Sequence, residues 1–140
     1  LLKKLSRDTS SPTGLLVNSV NKGVVEGVVE ALRRGADLHW NNDWCFVRSC
    51  MKGYVDIVRV LIEEGADIHV MDDTASYWAD IYSHGTITAM LENEMTPKEI
   101  ERKNRNVRRI KEKEEKRFEK NRKKEERPKG IIGRFKDFIR

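Results

Sequence analysis

Apolar residues recur at three- and four-residue steps in short bursts along the first two thirds of the chain. Val55, Val58, Leu61 and Ile62 form one such stripe, and the spacing predicts a helix with one buried face. Val25, Val28 and Leu32 fall at the same positions thirty residues earlier. Ile87, Met90 and Leu91 predict a short last helix of this kind. Glycine punctuates the pattern. Gly23 and Gly53 are each expected to close a short preceding helix, and Gly65 to end the helix that follows, because glycine takes the left-handed C-terminal conformation cheaply. In the third unit the closing glycine is expected at Gly85, 32 residues after Gly53, with two residues inserted.

A different pattern begins at Thr96-Pro97-Lys98-Glu99. Thr96 can cap, Pro97 suits a first helical position, and Glu99 completes a capping box. Good helix formers then run unbroken to Arg127, which predicts one charged helix about 45 Å long. Glu99/Lys103, Glu101/Arg105, Glu112/Lys116 and Glu119/Lys123 are expected to pair one turn apart. Ile100, Val107, Ile110 and Phe118 are too sparse for a coiled-coil seam. Pro128-Lys129-Gly130 breaks the helix. Ile131, Ile132, Phe135, Phe138 and Ile139 then share one face of a short amphipathic segment, suited to a protein groove or the chain's own domain better than to a membrane surface.

The first part contains an internal repeat. Gly23–His39 reads GVVEGVVEALRRGADLH and Gly53–His69 reads GYVDIVRVLIEEGADIH, with seven of seventeen positions identical at an offset of 30. One such unit cannot bury its apolar face alone, whereas stacked neighbours can. The GAD-L/I-H turn, the helix ending in glycine and the V-D/E-x-V-x-x-L/I helix resemble the ankyrin repeat. The 30-residue period resembles the short-turn variant found in giant DNA viruses of amoebae and some protists. The TPLH motif is absent: Trp44, Cys45, Phe46 and Val47 stand in its place. The resemblance implies an all-α fold of about three stacked repeats, followed by the charged helix and the amphipathic helix. The organisation expected is an N-terminal extension over 1–11, repeats over 12–94, a basic helix over 95–127 and an amphipathic segment over 128–140. Three units sit at the lower limit for stacking, so the ends call for capping by flanking segments or a partner.

Charge divides at the same boundary. Residues 1–94 carry 9 Lys and Arg against 14 Asp and Glu, a net of −5, whereas residues 95–140 carry 19 against 9, a net of +10. Apolar residues number 43 of 94 in the first part and 10 of 46 in the second, which cannot fold alone. No apolar run approaches the length of a membrane span. Two cysteines, Cys45 and Cys50, exclude a disulfide scaffold and favour a reducing compartment. No secretory signal is visible, and the absent initiator Met reads as a mature, trimmed or partial chain.

No catalytic constellation, phosphate loop or zinc spacing stands out, so the expectation is no enzyme, no cofactor and no metal. His39 and His69 are repeat-equivalent, which favours a structural role in the turn. The candidate chemistry is binding. By repeat position, Trp40, Asn41, Asn42, Trp44, Arg48, Lys52 and Met71 line one concave protein-binding surface, with Asn18, Asn21, Val70 and Asp72 beside them. Trp40 and Trp44 suit space-filling between units equally well. In the basic helix, Arg102, Lys103, Arg105, Arg108 and Arg109 form one candidate RNA-binding cluster, and Lys116, Arg117, Lys120 and Lys123 another. The expected function is a non-enzymatic adaptor or structural subunit of a large assembly. Its repeats hold a protein, and its basic helix docks on ribosomal RNA, as in a mitochondrial ribosome, or on an acidic protein surface. The alternative is a giant-virus-type ankyrin protein that binds a host factor or virion component. An intracellular location, mitochondrial or cytoplasmic, follows from either.

Overall fold

The computed structural model describes residues 11–126; the amphipathic segment expected at 128–140 lies outside the described residues. Seven helices follow in order: α1 (Pro12–Lys22), α2 (Val25–Arg33), α3 (Trp40–Lys52), α4 (Val55–Glu63), α5 (Val70–Ile81), α6 (Gly85–Asn93) and α7 (Pro97–Glu126). No strand occurs among the described residues. The first six form three stacked helix pairs. First helices α1, α3 and α5 pack side by side along one layer of the stack, and second helices α2, α4 and α6 along the other. The residues separate into a unit up to Val107 and a second from Arg108 onward.

The core runs through the pairs at repeating positions. Leu16, Phe46 and Cys50 from first helices meet Val28, Ile57, Val58, Leu61, Ile87 and Leu91 from second helices. Ala31, Leu61 and Leu91 are thirty residues apart and all buried, whereas Leu32 is half-buried one position on. Each large apolar side chain removed from water contributes about 1.5–3 kcal/mol.

The helix junctions keep the same register. Backbone bonds from Val24 N to Ser19 O, Tyr54 N to Ser49 O and His84 N to Ala79 O close the three first helices at a constant spacing of 30. Gly23 and Gly53 occupy the left-handed position at φ 70° and 77°. The next repeat supplies a second reason for glycine, because the Tyr54 ring lies against Gly23 and the His84 ring against Gly53, leaving no room for a Cβ. His84 also donates from Nε2 to the Met51 carbonyl at 2.9 Å. The expectation for the third unit is corrected here. Ser83, at φ 58°, takes the left-handed place, and Gly85 begins α6. No residues are inserted, and the period stays at 30.

The short period is accommodated by an unusual turn. Asn41, Asn42 and Asp43 are all left-handed, with φ near 55°, and so are their equivalents Met71, Asp72 and Asp73. A left-handed residue other than glycine costs about 1–2 kcal/mol, least for Asn and Asp. Side-chain bonds hold the turn. Asp37 Oδ1 accepts from His39 N, His39 Nδ1 donates to Asp43 Oδ1 at 2.8 Å, and Asp43 Oδ2 accepts from Asp67 N of the next repeat at 2.8 Å. Asp67, His69 and Asp73 repeat the first two bonds. Thr13 fills the same place in the first repeat, accepting from Asp37 N at 2.9 Å.

Helix α7 closes the stack. Thr96 and Glu99 form the expected capping box, with Thr96 N donating to Glu99 Oε2 at 2.7 Å and Glu99 N to Thr96 Oγ1 at 3.3 Å. Asn106 donates its amide to Asp73 Oδ2 at 2.8 Å, the bond that a following repeat would otherwise make. Met95, Val107 and Lys103 are buried, and Ile100 packs on the core. Lys103 pairs with Glu92 at 2.6 Å rather than with Glu99, and Glu119 bonds Arg122 rather than Lys123. Burying Lys103 is tolerable because its ammonium is paired.

Candidate protein-binding face

The exposed side of the first helices is a regular grid. Its positions recur every four residues along a helix and every thirty between helices. They are Asn18 and Lys22 on α1, Trp44, Arg48 and Lys52 on α3, and Thr74 and Trp78 on α5 with Tyr82 at its C-terminal cap. Trp44 and Arg48 are half-buried and Lys52 is exposed. Trp40 stands edge-on to Trp44 with ring centroids 6.0 Å apart, and both rings pack against the core as well. They therefore fill space between units while presenting an edge to the face. Asn41, Asn42 and Met71 lie on the left-handed turn tips, and Met71 is 61% exposed. Asn18 is half-buried, Asn21 and Asp72 exposed, and Val70 buried and out of reach.

Part of this face was not anticipated from sequence. Tyr77, Trp78, Tyr82 and His84 form a continuous aromatic series. Tyr77 and Trp78 are 5.0 Å apart edge-on, Trp78 and Tyr82 are stacked at 5.8 Å, and Tyr82 and His84 are 6.2 Å apart. Tyr82 and Ile81 are exposed. The signal was present: Trp78 stands thirty residues after Arg48, and Tyr82 thirty after Lys52. Placing the third closing glycine at Gly85 obscured it.

The cations on the face lack carboxylate partners among the described residues. Arg48 Nη1 reaches only the Met51 sulfur at 3.7 Å, and its Nε is buried with no hydrogen-bond acceptor. A buried donor left unpaired costs about 1–3 kcal/mol. The outer surface differs. Arg33 and Arg34 both bind Glu30 and hold its carboxyl down at about 2, and Arg59 binds Asp56.

The cysteines sit in the core and not on the face. Burial pushes the Cys45 thiol up to about 12, with the Asp43 and Asp37 charges adding to it, and burial raises the Cys50 thiol further. Among the described residues no group of three His, Cys, Asp or Glu side chains could hold a metal, and no helix is long and apolar enough to cross a membrane.

From Arg108 to Glu126, α7 is almost wholly exposed. Arg109, Lys113, Lys116, Lys120 and Lys123 recur at three- and four-residue steps, which aligns them along one helical face. Glu112 and Glu119 border that face one turn before Lys116 and Lys123, while Glu114 pairs with Arg117, and Glu119 and Glu126 pair with Arg122. Of the two candidate RNA-binding clusters, Arg102, Arg105, Arg108, Arg109, Lys116, Arg117, Lys120 and Lys123 are exposed. Lys103, committed to Glu92, is not.

The ankyrin-repeat family model matches residues 46–73, from the middle of α3 through the turn that opens α5. The matched segment and its neighbours share one helix pairing, one turn and one set of bonds thirty residues apart, consistent with stacked ankyrin repeats. No curated protein and no solved structure matches the chain. Ankyrin repeats are protein-protein interaction units, and the match supports that class of function.

Proposed function

We propose that this chain is a non-enzymatic adaptor whose first-helix face holds a protein partner. The observation that carries this is the row of Trp44, Arg48, Trp78 and Tyr82 on neighbouring helices. Aromatic and Arg side chains of this kind dominate the binding energy of protein interfaces. The remaining grid positions, Asn18, Lys22, Lys52 and Thr74, form the polar surround that such anchors require. The experiment is affinity purification with mass spectrometry, with the full chain as bait. A partner retained by the parent chain and lost with Trp78→Ala and Arg48→Gln, at unchanged helicity, is the expected result. Retention by both variants would move the partner elsewhere.

The aligned cations of Arg109–Lys123 favour a second contact. They suit docking of α7 on RNA, in an assembly such as a mitochondrial ribosome, or on an acidic protein surface. Purification repeated after nuclease treatment separates the two, since an RNA-borne association disappears and a protein-borne one stays. The same experiment tests the alternative of a giant-virus-type protein, which would recover host or capsid proteins in place of ribosomal particles. Either partner set places the chain inside the cell.

A further inference from the structure

We infer that the partner segment seated on the first-helix face is acidic, with its carboxylates on Arg48 and Lys52 and an apolar or aromatic side chain against Trp78 and Tyr82. This rests on the proposal that the face binds protein, and it adds the chemistry of what is bound. The charge distribution carries the argument. Residues 12–94 hold 6 Lys and Arg against 13 Asp and Glu, a net of −7, so the repeats as a whole repel an acidic chain. The first-helix face reverses that sign. Lys22, Arg48 and Lys52 stand there with no carboxylate partner among the described residues, whereas Arg33, Arg34 and Arg59 on the second helices are all paired.

Helix α1 contains no acidic residue, and the single one in α3, Asp43, is buried and spends both oxygens within the turn network. Nothing on these two helices competes for the cations. Arg48 is the sharpest case: the side chain is half-buried, and its Nη1 touches only a thioether. A half-buried guanidinium with no carboxylate among the described residues can bind one from a partner through two parallel hydrogen bonds. Lys22 and Lys52 lie one turn further along the same side of α1 and α3 and extend the cationic strip. The stacked rings of Trp78 on α5 and Tyr82 at its C-terminal cap take an uncharged side chain from the same segment. The acidic exterior then disfavours binding of that segment anywhere else on the repeats.

Selection from a random-peptide display library on the immobilised full chain tests this. Prior depletion on the Arg48→Gln, Trp78→Ala double variant removes peptides held by the basic part of α7, which that variant retains. The expected pool is enriched in Asp and Glu with at least one aromatic or aliphatic residue. A recovered peptide should weaken about 10- to 100-fold on Arg48→Gln, the loss of hydrogen bonds to a charged group. It should bind Arg59→Gln like the parent chain, and Arg48→Lys should restore part of the affinity. Circular dichroism checks that each variant folds. A pool of neutral apolar peptides lost with Trp78→Ala would overturn acid recognition while leaving the binding face intact. Acidic peptides indifferent to Arg48→Gln would overturn it as well. A pool that the double variant depletes completely would overturn the binding face itself.

Discussion

Buried carboxylates are tolerable when every oxygen finds a donor, and Asp43 meets that condition with His39 on one oxygen and Asp67 N of the next repeat on the other. Asp43→Ala strands a backbone N–H at the joint between repeats, so it should cost about 1–3 kcal/mol in urea denaturation, and Asp43→Asn less. The His39 ring titrates within this network. Its bond to Asp43, with the charge of Asp43 next, raises its pKa above the usual 6.5. The stabilisation is therefore fully present below the unfolded-state value and fades as pH rises through the higher folded-state value. The ring is 60% exposed, so solvent screens the effect and the change is small. His39→Gln should flatten the fall in stability on going from acid to neutral and alkaline pH; an unchanged profile would show that the proton is not linked to folding. The cysteines are simpler. With thiols raised by burial, neither Cys45 nor Cys50 should react quickly with Ellman's reagent in the folded chain, and both should react once it is denatured. The paired roles of His39 and His69 were legible from their equivalence in the sequence, but the Asp that each one holds was not. Asp43 and Asp73 look like ordinary turn residues until the backbone brings the next repeat against them.

Helices α2 and α4 were legible because their apolar stripes and closing glycines repeat. The third unit was obscured for a physical reason: Ser83 adopts the left-handed conformation that glycine signals elsewhere, and Gly85 was the nearest glycine. A false insertion then hid the alignment of Trp78 and Tyr82 with Arg48 and Lys52, which is why half of the candidate face was missed. The left-handed turns were also invisible to helical periodicity, although their Asn and Asp content fits them. Met71 is the outlier, a long unbranched side chain at φ 51° with 61% of its surface exposed. It loses little by truncation and sits in a conformation that glycine adopts freely. Met71→Gly should therefore stabilise the chain by about 1 kcal/mol, the left-handed cost removed less the entropy glycine adds to the unfolded state. The repeat-equivalent Asn41→Gly should change stability less, because Asn already tolerates this region. Equal effects at the two sites, read by thermal melting, would show that the left-handed turn carries no strain.

At the scale of the molecule, the chain solves the end problem of a three-unit stack with its own next helix. The sequence showed that some cap was needed and where α7 begins, but not that α7 supplies it. That depends on Asn106 reaching Asp73 and on a lysine, Lys103, buried against Glu92 where charge patterning predicts a solvated face. Two truncations separate the capping role from the basic surface. Ending the chain after Glu94 strips Met95, Ile100 and Val107 from the core and leaves Asp73 Oδ2 without its amide donor. Met95 and Val107 are buried and Ile100 half-buried; full burial of such a side chain contributes about 1.5–3 kcal/mol, so this cut should lower repeat stability by several kcal/mol and bring the stack close to unfolding. Ending it after Val107 removes no residue of that cap and should leave the urea midpoint of the repeats almost unchanged. The second cut removes the aligned cations from Arg109 to Lys123. If those cations hold RNA, binding of the full chain falls linearly on a log-log salt plot as phosphate counterions are released, and the chain ending at Val107 loses nearly all of that response. Filter binding to ribosomal RNA over a salt series reads this outcome, and urea denaturation reads the first. Intact, salt-sensitive binding by the shorter chain would assign the contact to Arg102, Arg105 or the repeats. A flat response from the full chain would leave the basic face of α7 to an acidic protein.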